Sequence, residues 1–141
     1  MERIEAWTRR ARWGLTVFYS IAGLLHLVVP KPFIGITPSW VPEPAEVIVL
    51  TGLCELLGAV ALLVPKVRTY AGIGLALYAV CVYPANIKHA IDSLGASSVS
   101  PWQWIYHAVR LPLQLALVWS PLFAGRIVTW PVPKDRSPSE H

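Results

Sequence analysis

Four stretches of this chain carry almost no charge, and each is about as long as a bilayer is thick. Trp13–Val29 runs 17 residues with no Asp, Glu, Lys or Arg, interrupted by the polar Thr16, Ser20 and His26. Val47–Val64 runs 18 residues with one charge, Glu55. Tyr70–Ile87 has none, and Trp104–Ala124 has Arg110. A spanning helix needs about 17–25 predominantly apolar residues. Inside lipid each backbone polar group must be satisfied within its own segment, which makes helices of such stretches. The pattern predicts an all-α membrane protein, a bundle of four transmembrane helices.

Composition agrees. Of 141 residues, 55% are hydrophobic and 14% charged, against about 45–50% and 25% in a soluble domain. The mean hydropathy is +0.51. A chain this short cannot hide so much apolar surface in one core. Intrinsic disorder is excluded on the same grounds. The net charge of +4 lies between the apolar blocks and not on one face, so it does not read as a nucleic-acid surface. Two cysteines, Cys54 and Cys81, exclude a disulfide scaffold and form no zinc spacing. The first apolar run follows a basic segment, as a signal peptide would. It is longer than a signal h-region and ends in Val28-Val29-Pro30-Lys31, not in a small-residue cleavage site, so it reads as a span.

The chain divides into a basic N-terminus over 1–12, a membrane domain over 13–124 and a polar tail over 125–141. The tail carries Pro131, Pro133 and Pro138 and reads as disordered. Between the first two spans, Pro30, Pro32, Pro38, Pro42 and Pro44 exclude a continuous helix. The apolar Phe33, Ile34, Ile36, Trp40 and Val41 make this a cap ordered at the interface. Residues 88–101 read as a loop. Basic residues set the orientation. Arg3, Arg9, Arg10, Arg12, Lys66, Arg68, Arg126, Lys134 and Arg136 fall on one side, Lys31 and Lys88 on the other. Both termini are then cytoplasmic. Trp7, Trp13, Tyr70 and Trp130 would mark the inner interface, and Trp40, Tyr83, Trp102, Trp104 and Tyr106 the outer one.

A charge in mid-helix costs about 2.5–3.5 kcal/mol on the insertion scale, so such groups pair or line a cavity. His26 lies about three residues from the outer end of its span and Glu55 about eight; Asn86 lies at the end of its own, and Arg110 and Gln114 about six and ten residues in, at about 1.5 Å per residue. Four helices thus place polar groups in or near the outer half. Glu55 and Arg110 are positioned for an ion pair that would offset much of the burial cost. They form either a structural lock or the wall of a pocket, with His26 as a third member or as a separate hydrogen bond between helices. His107, Arg110 and Gln114 share one helix face, which must look inward, and Pro112 can kink that helix. Cys54 and Cys81 match in depth within roughly 3–5 Å. A disulfide is geometrically open to them, but small core residues are the commoner use. Gly52, Gly58, Ala59, Gly72, Gly74 and Ala76 read as packing residues. No metal site is expected: His89 with Asp92 is too small a set. Haem lacks a suitable axial pair.

Several short segments together resemble the DoxX-like family of small integral membrane proteins. They are Ala22-Gly23-Leu24-Leu25-His26, Pro30-Lys31-Pro32-Phe33 and Thr37-Pro38-Ser39-Trp40-Val41-Pro42. Then come Thr51-Gly52-Leu53-Cys54-Glu55-Leu56-Leu57-Gly58, Tyr83-Pro84-Ala85-Asn86-Ile87 and Arg110-Leu111-Pro112-Leu113-Gln114. The resemblance covers about residues 13–124; Cys54 has no counterpart role in it. It implies a four-helix protein of the bacterial cytoplasmic membrane with recurrent polar positions at His26, Glu55, Asn86, Arg110 and Gln114. It also implies an association with redox enzymes, some of them quinone-linked. The expected function is a redox-associated accessory subunit, with those five residues binding a quinone-like ligand in the outer half. Its expected partners are the bilayer, a membrane redox subunit and, as a further option, a second copy of the chain. A non-enzymatic assembly protein and a small membrane isomerase or carrier of a hydrophobic molecule are the alternatives. No reaction is named by the residues.

Overall fold

The computed structural model describes residues 2–130, and among these it is all-helical. The elements are α1 (Glu2–Val28), α2 (Lys31–Ile36), α3 (Pro44–Leu63), α4 (Arg68–Leu94) and α5 (Pro101–Ala124). Most of the expected polar tail, from 131 onward, lies outside the described residues. Three helices, α1, α3 and α4, are long and apolar enough to cross a membrane. α5 is 24 residues long, about 36 Å at 1.5 Å per residue. It falls short on composition, because Gln103, His107, Arg110, Gln114 and three prolines dilute its apolar residues.

The long helices form a ring in which α1 packs on α3, α3 on α4, α4 on α5 and α5 on α1. α3 and α5 are thus diagonal. The short α2 lies against α3 and α4 and caps one end, here the cap end. The opposite, basic end gathers the start of α1, the turn between α3 and α4, and the end of α5.

Each helix turns a narrow stripe inward at helical spacing. On α1 it is Thr8, Arg12, Leu15, Tyr19 and Gly23. On α3 it is Ile48, Gly52, Glu55, Ala59 and Leu62. On α5, His107, Gln114 and Pro121 recur every seven residues. Large apolar side chains face the other way: Leu57 is 71% exposed, Leu77 60%, Val109 62% and Leu115 61%. Buried instead are Thr8, Arg12, Glu55, Asn86, His107 and Gln114. Contiguous apolar patches on soluble monomers rarely exceed a few hundred Å². A girdle of this kind is a surface for lipid. The tightly packed core, Leu15, Tyr19, Ala59, Leu62, Leu75 and Ala124, lies toward the basic end.

Two boundaries differ from expectation. Residues 88–94 continue α4 and do not form a loop. Pro84 removes one backbone donor, but membrane helices tolerate this. Beyond it Asn86 and Ala90 keep the inward stripe, and Lys88 pairs with Asp92 one turn on. The N-terminal segment, expected only to be polar and basic, is the first part of α1. α5 starts where a capping box stops the turn: the Gln103 amide donates to the Ser100 hydroxyl, the Ser100 amide donates to the Gln103 side chain at 2.7 Å, and Pro101 follows at the first helical position.

The α4–α5 contact depends on Gly72. A Cβ there would sit 2.5 Å from the Pro121 carbonyl oxygen, whereas Gly74, two residues on, has nothing within 4 Å. Gly72→Val is expected to destabilise the detergent-solubilised protein by about 1–3 kcal/mol, the usual range for overpacking. Gly74→Val is expected to leave the melting temperature within error of wild type. Equal melting temperatures for the two variants would contradict this packing.

Candidate functional site

The five residues singled out by depth line one cavity of about 280 Å³ near the cap end. The remaining wall is mostly apolar, with Phe18, Phe33, Val82, Leu113 and Leu117 among its members. An engineered cavity of about 150 Å³ takes benzene, so this one has room for a substituted single ring. Polar groups reach it in two sets.

The first set surrounds Glu55. Its Oε2 lies 2.6 Å from His26 Nδ1, and its Oε1 accepts a hydrogen bond from the Tyr78 hydroxyl at 2.8 Å. The His26 ring nitrogen and the Tyr78 hydroxyl thus engage both oxygens of the carboxyl group. The sequence brings His26 and Glu55 together through the glycines three residues before each. A Cβ at Gly23 would lie 2.7 Å from the Gly52 carbonyl oxygen, and one at Gly52 would lie 2.9 Å from that of Gly23. Side chains tilt toward the N-terminus of their own helix. In antiparallel helices His26 therefore leans toward the basic end and Glu55 toward the cap end. They meet across the glycine contact, where no side chain intervenes. The Phe33 ring of α2 covers the His26 ring, with centroids 4.1 Å apart.

The second set joins α4 and α5. Arg110 Nη2 donates to Asn86 Oδ1 at 2.6 Å, Asn86 Nδ2 to Gln114 Oε1 at 2.9 Å, and Gln114 Nε2 to the Ala79 carbonyl at 2.6 Å. Arg110 Nη1 also reaches the Tyr106 hydroxyl. This chain leaves Asn86 and Gln114 buried but satisfied.

The expected ion pair between Glu55 and Arg110 is not formed. The two sit on diagonal helices, and each takes partners from its neighbours instead: Glu55 from α1 and α4, Arg110 from α4 and its own helix. The inward face of His107, Arg110 and Gln114 is present, with His107 and Gln114 buried. His107 lies outside the cavity, packed 4.9 Å from the His89 ring, and neither of its ring nitrogens has a hydrogen-bond partner. Cys54 and Cys81 are both free and exposed on the outside of their helices. They are neither bridged nor core residues. Among the described residues no three His, Cys, Asp or Glu gather to hold a metal ion.

Two site residues escape sequence reasoning. Tyr78 and Tyr19 both line the cavity. Tyr19 is 2% exposed, and its hydroxyl has no protein hydrogen-bond partner. A tyrosine in an apolar span looks like an interfacial or core aromatic. Only the stripe of Arg12, Leu15, Tyr19, Gly23 and His26 would have pointed to Tyr19 as inward-facing. Chemically, the cavity offers a carboxylate–imidazole dyad and an unpartnered phenol on one side. A guanidinium–amide chain faces it from the other. Its donors suit a neutral or anionic ligand carrying acceptor oxygens.

No curated protein and no solved structure matches the chain at a significant level. A family model does match, over residues 15–124, which takes in the second half of α1, the whole of α3, α4 and α5, and each residue of the cavity. The chain belongs to the family described as "Domain of unknown function (DUF8561)".

Proposed function

We propose that this protein is a DoxX-like, multi-pass protein of the cytoplasmic membrane. It acts as a redox-associated accessory subunit that holds a quinone-like ligand in the cavity at the cap end. The observation that carries the reading is the convergence of His26, Glu55, Asn86, Arg110 and Gln114 on one apolar-walled cavity, with Tyr19, whose buried hydroxyl has no protein partner, also in its wall. A buried polar group left unpaired costs about 1–3 kcal/mol, and a ligand oxygen would remove that cost. A quinone supplies two carbonyl acceptors on one ring and accepts electrons and protons when bound. Tyr19 would donate to one carbonyl oxygen and Arg110 to the other. Asn86 and Gln114 hold the guanidinium in place. Glu55 fixes the His26 ring and takes the hydrogen bond of the Tyr78 hydroxyl. The DoxX-like part of the reading rests on the residue resemblances, since the family model that matches is another one.

In this reading α5 is the fourth span, and both termini are cytoplasmic. Exposed aromatics support it by forming a belt at each end. Trp7, Trp13, Tyr70 and Trp130 stand at the basic end, and Trp40, Trp102, Trp104 and Tyr106 at the cap end. Amphipathic rings settle at membrane interfaces. The 2.6 Å contact of His26 with Glu55 favours a second reading, an isomerase that moves a proton on a hydrophobic substrate in the same cavity.

Three outcomes are expected. Single cysteines placed at Ser98 and at Thr129, with Cys54 and Cys81 replaced by Ala, should react with an impermeant thiol reagent from opposite sides of sealed cells; labelling from the same side would remove α5 as a span. Mass spectrometry of organic extracts should find a quinone enriched with the wild type and lost with Arg110→Leu at matched expression; bulk lipid alone in both would turn the cluster into a structural lock. Tyr19→Phe should weaken binding of a quinone analogue about fivefold, one ordinary hydrogen bond of about 1 kcal/mol, without lowering the melting temperature of the ligand-free protein. A loss of stability with unchanged binding would mean that the phenol serves packing alone.

A further inference from the structure

The basic end carries a second polar cluster, which the cavity at the cap end does not use. Arg12 is 5% exposed although it stands in a segment that the sequence marks as polar. Its Nη1 donates to the Ala124 carbonyl at 3.3 Å, capping the end of α5, and its Nη2 donates to Glu5 Oε1 at 3.0 Å. Arg126 pairs with the other oxygen of the same carboxylate. Arg9 and Arg68 both lie near enough to Arg12 to repel it. Arg68 Nε is buried without a partner. Among the described side chains Glu5 is the one carboxylate paired with this group of arginines. The end of α5 adds a partial negative charge of about one half. Among the described side chains of this cluster positive charge is in excess.

Beside this cluster is a cavity of about 710 Å³ between the first turns of α1 and the chain after α5. Its wall is made by the apolar Ile4, Ala6 and Val128, by Thr8 and Thr129, by the guanidinium groups of Arg9 and Arg126, and by Glu5, whose carboxylate is already paired with Arg126 and Arg12. With Glu5 shared between Arg12 and Arg126, the wall keeps a net positive charge beside its apolar part and fits an amphipathic anion. The Trp7, Trp13 and Trp130 belt sets this end at the depth of lipid headgroups.

We infer that this cavity is a binding site for one anionic phospholipid, with its phosphodiester on Arg9 and Arg126 and its glycerol and upper acyl chain along Ile4 and Val128. The excess charge is what a phosphate neutralises. Arg9 and Arg126 suit it because a guanidinium forks onto phosphate oxygens. Arg12 and Glu5 position Arg126 beneath. The inference rests on insertion in a membrane and not on the ligand of the other cavity.

The test is a titration of the detergent-solubilised full chain with short-chain phosphatidylglycerol, read by melting temperature. Parallel titrations use phosphatidylcholine and inorganic phosphate. Phosphatidylglycerol alone is expected to raise the melting temperature with saturation. Each arginine near a lipid headgroup contributes about 1 kcal/mol, or about fivefold in affinity. Arg9→Gln with Arg126→Gln should therefore raise the midpoint about thirtyfold. Both side chains are exposed enough for the fold to tolerate the change. Lys66→Gln, an exposed charge at the same end, should leave the midpoint unchanged. Equal shifts with phosphatidylcholine, an equal shift with inorganic phosphate, or an unchanged midpoint in the double variant would each overturn the site.

Discussion

A carboxylate inside an apolar ring of helices is the constraint around which this bundle is arranged. Glu55 is 4% exposed, and a charge buried without partners costs more than the fold of a small domain can spare. Its two partners come from α1 and α4, so one residue of α3 sets the relative depth of three helices. The glycines at 23 and 52 are part of the same arrangement. They bring the two backbones close enough for a short histidine to reach the acid. Removing His26 would leave the acid with Tyr78 alone, and a buried polar group short of a partner costs about 1–3 kcal/mol.

The depth of the polar groups was legible in the sequence, but their pairing was not. Counting residues from the end of each apolar run placed His26, Glu55, Asn86, Arg110 and Gln114 at one level, and all five line one cavity. Depth along a helix follows from a rise of about 1.5 Å per residue. Which helix stands beside which does not. With four helices in a ring, α3 and α5 are diagonal, and the two charges expected to attract each other are drawn to closer neighbours instead. Arg12 shows the opposite case. Its burial was readable, because Thr8, Arg12, Leu15, Tyr19 and Gly23 continue one stripe down α1. Charge density in that segment hid it. The end of α4 was misread for a related reason: proline and charge mark loops in water, yet in a packed bundle the stripe of Asn86 and Ala90 carries the helix past both.

The two ends of the bundle are packed differently. Near the basic end the core is dense, with Ala59, Leu62 and Ala124 wholly inaccessible, and Arg12 ties α1 to the end of α5. Near the cap end polar side chains interrupt a wall of large apolar ones, and the ring leaves a cavity. α2 closes part of that end by placing Phe33 on His26. A helix of 6 residues with no buried side chain gains little from packing, so it is the element with least to hold it in place. Entry to the cavity by movement of α2 would disturb the ring less than separation of any two long helices.

Polar groups in this interior fall into two kinds, and the difference bears on which of them are structural. Asn86 and Gln114 are each bonded on both sides of the amide, to one another, to Arg110 and to the Ala79 carbonyl. A network so complete fixes α4 against α5 and has no need of a ligand. Tyr19 and His107 are equally buried, yet the phenol and both imidazole nitrogens lack partners. Buried polar groups in folded proteins are nearly always paired, and selection for packing alone would favour Phe at position 19 and an apolar residue at 107. Both side chains carry hydrogen-bonding capacity that no described protein group uses. Of the two, Tyr19 lines the cavity and His107 does not. In the ligand-binding reading the phenol is therefore the group whose pairing an occupant of the cavity would complete, whereas the amide network is complete without one.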